Sequence, residues 1–317
     1  MKISVIIPLF NKEHHIQRAI QSVLSQTHQD FELIIVDDGS TDDSFKAATS
    51  ILDPRIRIVC QENQGVSAAR NRGVSEAQSD WVAFLDADDE WLPDFLEKII
   101  QLRSSFPDEH LFCTSYYFQD PNGEKKLPKT TPMFENNRAY LIDDYLSVLR
   151  IGLPFNSSSF SVTRKAYQES GGFTEGIAYQ EDVDFWIRLS LYHKIVYLNS
   201  PLAIYHQDSE NRACEKYDPI IGESYVIKSL IQMKRKDQIP NRLKKSANEY
   251  VAKYQIPLAK YHLLQKESKR AREVLQSCLG TRRYLPSWVF TYLCTYIPSS
   301  LLLSGNTIKN KLMGIKS

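Results

Sequence analysis

The stretch FLDADDEW, residues 84–91, decides how this chain is read. An apolar strand ends at Leu85, and Asp86, Asp88 and Asp89 follow within four residues. Asp86 and Asp88 stand two apart, so an extended or tightly turned backbone aims both toward one point. Carboxylates packed this closely repel one another, and the cluster is destabilising unless a cation joins it. Mg2+ and Mn2+ suit such a pair, being hard ions that favour carboxylate and phosphate oxygens. A solvated acidic turn that caps the next helix is the structural alternative.

Upstream, LIIVDDGSTDDS at 33–44 repeats the pattern: a continuously apolar strand closes on Asp37, Asp38 and a glycine. Ser40 or Thr41 can cap the helix that follows, and the turn amides can meet polar ligand edges. A third strand end, IIPLFN at 6–11, presents Pro8, Phe10 and Asn11. Phe10 can stack on a flat base or simply pack on the first helix. Strands are expected at 4–9, 31–36, 56–59 and 81–85, with helices at 13–26, 44–52 and 66–77 between them. The helix at 13–26 shows its apolar stripe at Ile16, Ala19, Ile20, Val23 and Leu24. Strands without polar alternation, separated by helices, indicate an α/β fold with a mostly parallel sheet covered on both faces. Ligands of such sheets bind beyond the carboxyl ends of the strands, where the acidic residues of this chain collect.

Downstream, a helix is expected at 92–104, a strand at 110–118, a helix at 140–149, and short strands at 160–163, 195–198 and 203–205. GGFTEGIAYQEDVDFWIRL at 171–189 opens a helix at Glu181 and Asp182, where acids interact favourably with the helix N-terminus. If that end faces the cleft, one of the two becomes a candidate base. His206 follows a short strand, and a lone histidine is more often structural than a ligand. Arg70, in ENQGVSAARNRG at 62–73, can pair with a phosphate or with one of the aspartates.

The whole chain of 317 residues carries 39 Lys plus Arg against 38 Asp plus Glu, and this near-neutral sum speaks against wholesale wrapping of nucleic acid. The sum conceals two opposite halves. From Lys228 onward there are 18 basic residues and four acids, so residues 228–317 are +14 and residues 1–227 are −13. Few strand signals occur in 225–280, where two or three amphipathic helices are expected, interrupted by Pro240 and Pro257. The uncharged stretch YLPSWVFTYLCTYIPSSLLL at 284–303 has three compatible roles: interfacial embedding, a membrane span, and packing on the core or a partner. Pro286 and Pro298 weaken the span, and aromatic residues flanked by lysines make interfacial embedding physically easiest. Five widely spaced cysteines without a CxxC pair indicate neither a zinc knuckle nor a disulfide framework, and fit a reducing compartment. The apolar run in MKISVIIPLF is too short for a signal peptide and is expected to be a buried first strand.

Taken together, SVIIPLFN at 4–11, VDDGSTDDS at 36–44, GVSAARNRG at 65–73, FLDADD at 84–89 and YQEDVDFWIRL at 179–189 resemble a family 2 glycosyltransferase with the GT-A fold. The motifs occur in the family's order and cover roughly residues 1–206. The resemblance implies a Rossmann-like, mostly parallel sheet flanked by helices in residues 1–224, followed by a basic helical extension at 225–317. Residues 1–110 would bind the nucleotide-sugar and 111–224 the acceptor. By motif, Pro8 and Phe10 would line the base pocket, Asp38, with Asp37, would bind the base or ribose, and Arg70 would lie near the nucleotide. Asp86 would approach the ribose and the metal, and Asp88 would be the direct metal ligand. His206 would be a further metal or diphosphate contact. Asp182 would be the catalytic base, with Glu181 supporting it.

The implied activity is inverting, Mn2+- or Mg2+-dependent transfer from a nucleotide-diphosphate sugar, a UDP-sugar by expectation, to a hydroxyl of a glycan or lipid-linked saccharide. The implied setting is cell-surface polysaccharide biosynthesis in the cytoplasm, with peripheral contact at the inner face of the plasma membrane through 228–317. A dinucleotide-binding domain is excluded because residues 8–13 carry no GxGxxG. A sugar-1-phosphate nucleotidyltransferase, and a non-catalytic nucleotide- or glycan-binding component of an assembly complex, are the alternatives. The first lacks the Gly-rich basic loop expected after strand one, and the second leaves the Glu181–Asp182 pair without a purpose.

Overall fold

The computed structural model describes residues 1–209 and 224–297, together with Leu312. The chain divides into two compact units, residues 1–215 and 216–317. The boundary expected at 224/225 adjoins residues 210–223, which lie outside the described residues.

The first unit begins with strictly alternating strands and helices. Strand β1 (Ile3–Leu9) and strand β2 (Phe31–Asp37) are buried along their whole length, as strands covered on both faces must be. Helix α1 (Ile16–Leu24) buries Ile16, Ala19, Ile20 and Val23, the stripe read from their spacing. Helix α2 (Ser44–Thr49), strand β3 (Ile56–Cys60), helix α3 (Val66–Glu76) and strand β4 (Trp81–Phe84) follow. Helix α3 lies so close to β1 that a Cβ at Gly73 would stand 2.4 Å from Ile6 Cγ2, and only glycine permits that approach. Strand β5 (Glu90–Trp91), helix α4 (Phe95–Ser105), strand β6 (Leu111–Gln119) and strand β7 (Lys125–Lys126) come next. Strand β8 (Ala139–Ile142), helix α5 (Tyr145–Leu149), strand β9 (Phe160–Thr163) and helix α6 (Arg164–Glu169) lead to helix α7 (Glu181–Tyr192) and strand β10 (Ile195–His206).

These strands form one ten-stranded sheet in the order β3-β2-β1-β4-β9-β6-β10-β5, with β7 on β6 and β8 on β10. Strands β3, β2, β1 and β4 are mutually parallel, and β6 is parallel to β10. Strand β9 runs antiparallel to both β4 and β6. Its reversal brings the start of β9 to the edge where β1, β2 and β4 end. The result is the expected architecture, a mixed but mostly parallel Rossmann-like sheet flanked by helices.

Two local expectations change. The helix expected at 140–149 is β8 followed by the short α5, because Ala139–Ile142 pairs with β10 and Asp144 caps the new helix by accepting a bond from Ser147 N. The strands expected at 195–198 and 203–205 are one strand, β10, whose register shifts on either side of Pro201. Proline offers no N–H to a ladder, so the strand bulges there instead of ending.

The second unit is helical among its described residues: α8 (Tyr225–Arg235), α9 (Lys244–Leu264), α10 (Ser268–Gln276) and α11 (Leu285–Cys294). Helix α9 packs against α8, α10 and α11 and runs through Pro257 without interruption. Burial of Ile256, Leu258 and Ala259 beside the proline holds the helix together across the missing backbone bond. Glu249 is buried on α9 and accepts bonds from Thr281 Oγ1 at 2.7 Å and Arg282 N at 2.7 Å, which ties down the turn before α11. Within the stretch expected to be special, 284–303, residues 298–303 lie outside the described set. No described helix is long and apolar enough to cross a membrane. Cys60, Cys113, Cys278 and Cys294 are free thiols.

Candidate active site

The carboxyl ends of β1, β2 and β4, the start of β9 and the start of α7 assemble a cluster of charged side chains. Strand β4 gives way at Leu85, whose N–H still reaches Ile6 O at 3.0 Å. The chain then turns tightly, with Asp89 N donating to Asp86 O at 3.1 Å. This turn separates the three aspartates, and each meets a different partner.

Asp86 receives Arg70 Nη2 at 2.7 Å. Arg70 is only 2 % exposed and uses its other terminal nitrogen, Nη1, on Glu181 Oε1 at 2.8 Å. The guanidinium therefore joins β4 to the start of α7, with the Phe173 ring 5.0 Å away on one side. Burial pushes the Asp86 carboxyl up, against the pull of Arg70, and the neighbouring Asp88 adds to the rise. Asp88 meets Lys12 Nζ at 2.8 Å. Burial opposes its ionisation, but the Lys12 ammonium outweighs that and holds the carboxyl below the usual range. Asp89 is fully buried and accepts bonds from Ser158 Oγ and from His206 N. Burial, with Asp88 and Asp86 nearby, pushes it well above the ordinary carboxylate value, and its two bonds tie the turn to β9 and β10.

At β2, Asp37 Oδ1 accepts Ser40 Oγ at 2.5 Å. Asp38 accepts three bonds, from Gln61 Nε2 at 2.8 Å, Gln64 N at 2.9 Å and Gly65 N at 2.8 Å, and so ties the 61–65 loop to the sheet edge. Gly65, at φ 91°, adopts the left-handed backbone that this loop needs to enter α3. Pro8 lies inside β1, while Phe10, just beyond it, is exposed.

Helix α7 is anchored by Phe185 and Trp186, which sink into an aromatic cluster with Phe155, Phe160 and Phe173. Gln180 enters the helix in the left-handed conformation, φ 64°, an uncommon geometry for a side chain of its size. Immediately after it, Asp182 has Oδ1 held by Val183 N at 2.6 Å and Oδ2 by Ser157 Oγ at 3.0 Å. Burial first, and repulsion from Glu181 second, push its carboxyl up to about 7. A carboxylate with that value exchanges protons readily near neutrality, as a general base must. The third acid of the helix, Asp184, is structural: it holds Arg188, which in turn binds the carbonyls of Ser170 and Gly172.

The structure thus brings Arg70, Asp86 and Glu181 into direct contact, with Asp88 on the same turn and Asp182 on the same helix end. His206 stands beside this turn, its backbone N–H donating to Asp89 Oδ1 at 3.1 Å. His206 is buried, with Nε2 3.6 Å from Glu90 Oε2 and Nδ1 3.4 Å from Gln119 Nε2. Among the described residues no group of three His, Cys, Asp or Glu is placed to hold a metal. The chemistry of the remaining donors nevertheless suits a divalent ion: Asp86 and Asp88 are hard oxygen ligands, and Asp88 already holds the cationic Lys12 Nζ.

Two contributions escape the motif reading. Lys12 is one. The other is the run NSSS at 156–159, where Ser157 holds Asp182 and Ser158 accepts from Asp86 N while donating to Asp89. Three serines directly before an apolar strand were the available signal, but their relevance depends on β9 being reversed.

The model of "Glycosyl transferase family 2" matches residues 4–171. An uncharacterized glycosyltransferase of Rickettsia conorii is 36% identical over 191 residues, 60% of this chain and 30% of that one. One from Nostoc is 48% identical over 105 residues, 32% of this chain and 33% of that one. The chain therefore spans about a third of the length of these relatives. Glycosyltransferase GlyG of Streptococcus pneumoniae is 27% identical over 224 residues, 68% of this chain and 74% of its own. Among solved structures, residues 1–349 of S. aureus TarS, in complex with UDP-GlcNAc, superpose with a TM-score of 0.65 at 16% identity, covering 92% of this chain and 79% of that one. The mannosyltransferase PcManGT of Pyrobaculum calidifontis, in complex with GDP-Man and Mn2+, gives 0.59 at 16%, covering 99% and 85%. At such identity these two likenesses speak for the fold alone.

Proposed function

Because the chain belongs to glycosyl transferase family 2, we propose that it transfers a sugar from a nucleotide-diphosphate sugar to a hydroxyl group of a glycan or lipid-linked saccharide, with inversion at the anomeric carbon. The observation that carries this reading is Asp182: a carboxyl raised to about 7, with both oxygens oriented, one helix turn-start away from a guanidinium that binds Asp86.

The donor lies along the carboxyl edge of the sheet. The exposed Phe10 ring meets the face of the base beside Pro8, and the Asp37–Asp38 turn meets the base or ribose through the loop that Asp38 holds. Arg70 keeps Asp86 and Glu181 at a fixed separation, and Ser158 keeps the turn of Asp86 and Asp89 rigid. Asp86 and Asp88 would hold the Mn2+ or Mg2+, which when bound supplies positive charge for the diphosphate leaving group. Asp182 takes the proton of the acceptor hydroxyl as its oxygen attacks the anomeric carbon. The bond from that carbon to the diphosphate oxygen breaks, its electron pair leaving with the nucleoside diphosphate. An α-linked donor then gives a β-linked product.

We further propose a UDP-sugar donor, an acceptor in cell-surface polysaccharide assembly, and work at the inner face of the plasma membrane through peripheral contact by 228–317. A screen of nucleotide-sugars for Mn2+-dependent hydrolysis and thermal stabilisation tests the reading. We expect one base and sugar to give both effects and chelator to remove the hydrolysis. Stabilisation by sugar-1-phosphate and nucleoside triphosphate, with pyrophosphate released and no nucleotide-sugar cleaved, would overturn it.

A further inference from the structure

Helix α11 is oriented the wrong way round for a helix that serves only its own core. Several large apolar side chains face outward, Leu285 at 49%, Val289 at 40%, Leu293 at 60% and Tyr296, just past its end, at 63% exposed, while Trp288 is half-buried and donates to Leu275 O. The side chains the helix turns inward, Thr291, Cys294 and Thr295, are small and are 3% exposed or less. The outward set recurs at three- and four-residue intervals, so it forms one stripe. Beside the stripe, Trp288 stacks on Tyr292 at 5.0 Å and 10°, and the Tyr292 and Tyr296 hydroxyls meet at 2.9 Å. Such rings, apolar in body and polar at the tip, favour the boundary between water and hydrocarbon.

The exposed charges at the start of α11 and the charges of the sequence that follows are basic. Arg282 and Arg283, directly before α11, are exposed, and Arg272 lies 5.1 Å from the Tyr296 ring. From residue 274 to 317 the sequence contains no Asp or Glu. Among the described residues the stripe offers on the order of a few hundred Å², below the roughly 800 Å² per partner of a stable interface. A lipid surface has no such minimum, since apolar insertion and attraction to anionic headgroups add together.

We infer that α11 lies in the headgroup layer of an anionic bilayer, with Leu285, Val289, Leu293 and Tyr296 toward the acyl chains and Arg282 and Arg283 on lipid phosphates. This deepens the proposed peripheral contact by assigning it to one helix face. Vesicle flotation of the full chain, alongside donor hydrolysis measured without vesicles, separates failure of the docking from failure of the catalytic reading.

The vesicles are phosphatidylcholine alone and phosphatidylcholine mixed with phosphatidylglycerol. The wild type should float with the mixed vesicles and not with the neutral ones. Leu285→Ser with Leu293→Ser should weaken binding about tenfold or more at every salt concentration. Arg282→Gln with Arg283→Gln should weaken it about 30-fold at low salt and flatten the salt dependence. All four positions are exposed, and circular dichroism checks that the variants fold. Equal binding by both double variants would overturn the inference, as would a wild type that ignores anionic vesicles. So would a leucine variant that changes only the oligomeric mass, since the face would then belong to a second copy.

Discussion

Replacing Asp182 by asparagine should make the protein more stable and almost inactive. The carboxyl is displaced from 3.8 to about 7, chiefly by burial and then by Glu181. In the folded state it therefore keeps its proton over a range in which the unfolded chain has already lost it. The cost to stability begins as pH rises past about 4 and is complete above about 7, where it reaches about 4 kcal/mol. Near pH 5 less than half of it is in force. Asparagine is nearly isosteric, carries no charge, and can keep both bonds, accepting from Val183 N and turning its amide toward Ser157 Oγ. Loss of one of the charges that surround Arg70 offsets some of the gain. A net gain of about 2–3 kcal/mol at pH 8 is expected, shrinking toward zero near pH 4. In a unit of this size that corresponds to a rise in Tm of about 5 °C or more. Thermal unfolding at pH 8 and pH 5, without donor, measures it. In the same protein transfer should fall by about a thousandfold while donor affinity holds, and wild-type transfer should rise with pH through about 7. A gain over wild type no larger at pH 8 than at pH 5, or a variant that keeps transfer within tenfold, would refute the assignment.

Substituting Lys12 by methionine removes the ammonium that stands 2.8 Å from Asp88, so Mn2+ should bind the donor-free protein about tenfold more tightly. Mn2+ titration followed by electron paramagnetic resonance reads this directly, and an unchanged affinity would show that Lys12 does not compete for the site. Gly73→Ala should lower stability by about 1–3 kcal/mol despite alanine's better helix propensity, because its Cβ would press on Ile6. Denaturant unfolding with an unchanged slope checks it, and equal stability would mean that α3 can move away from β1.

Much of the site was legible because its chemistry is written locally. Asp37, Asp38, Asp86 and Asp88 each follow an apolar strand directly, so strand and carboxylate are read in one stretch of sequence. Glu181 and Asp182 likewise open a helix whose apolar positions are regular. What escaped depends on partners far away in the chain. Ser157 and Ser158 matter because β9 runs against β4, and no local feature of FSVT distinguishes an antiparallel from a parallel strand. Residues 139–142 leave the helical reading because β10 offers them an edge. Pro257 fails to stop α9 because neighbouring helices bury the residues on both sides of it. His206 matched by position after a strand, whereas its ring is engaged by Glu90 and Gln119.

The acids at the sheet edge sit in a region, residues 1–227, whose balance is −13. A cluster containing Asp86, Asp88, Glu181 and Asp182 would repel itself apart if every member were ionised and unpaired. The fold resolves this with two cations and one retained proton. Arg70 serves Asp86 and Glu181 together, Lys12 serves Asp88, and Asp182 holds its proton to about pH 7. The two cations differ in what they can release. Arg70 is buried and bound at both ends, so withdrawing it would leave two carboxylates uncompensated, which makes it a fixed part of the scaffold. Lys12 reaches Asp88 through a flexible stem, so its ammonium can move to a phosphate oxygen when another cation takes Asp88. Stability comes from the pair that does not move, and chemistry is left to the pair that does.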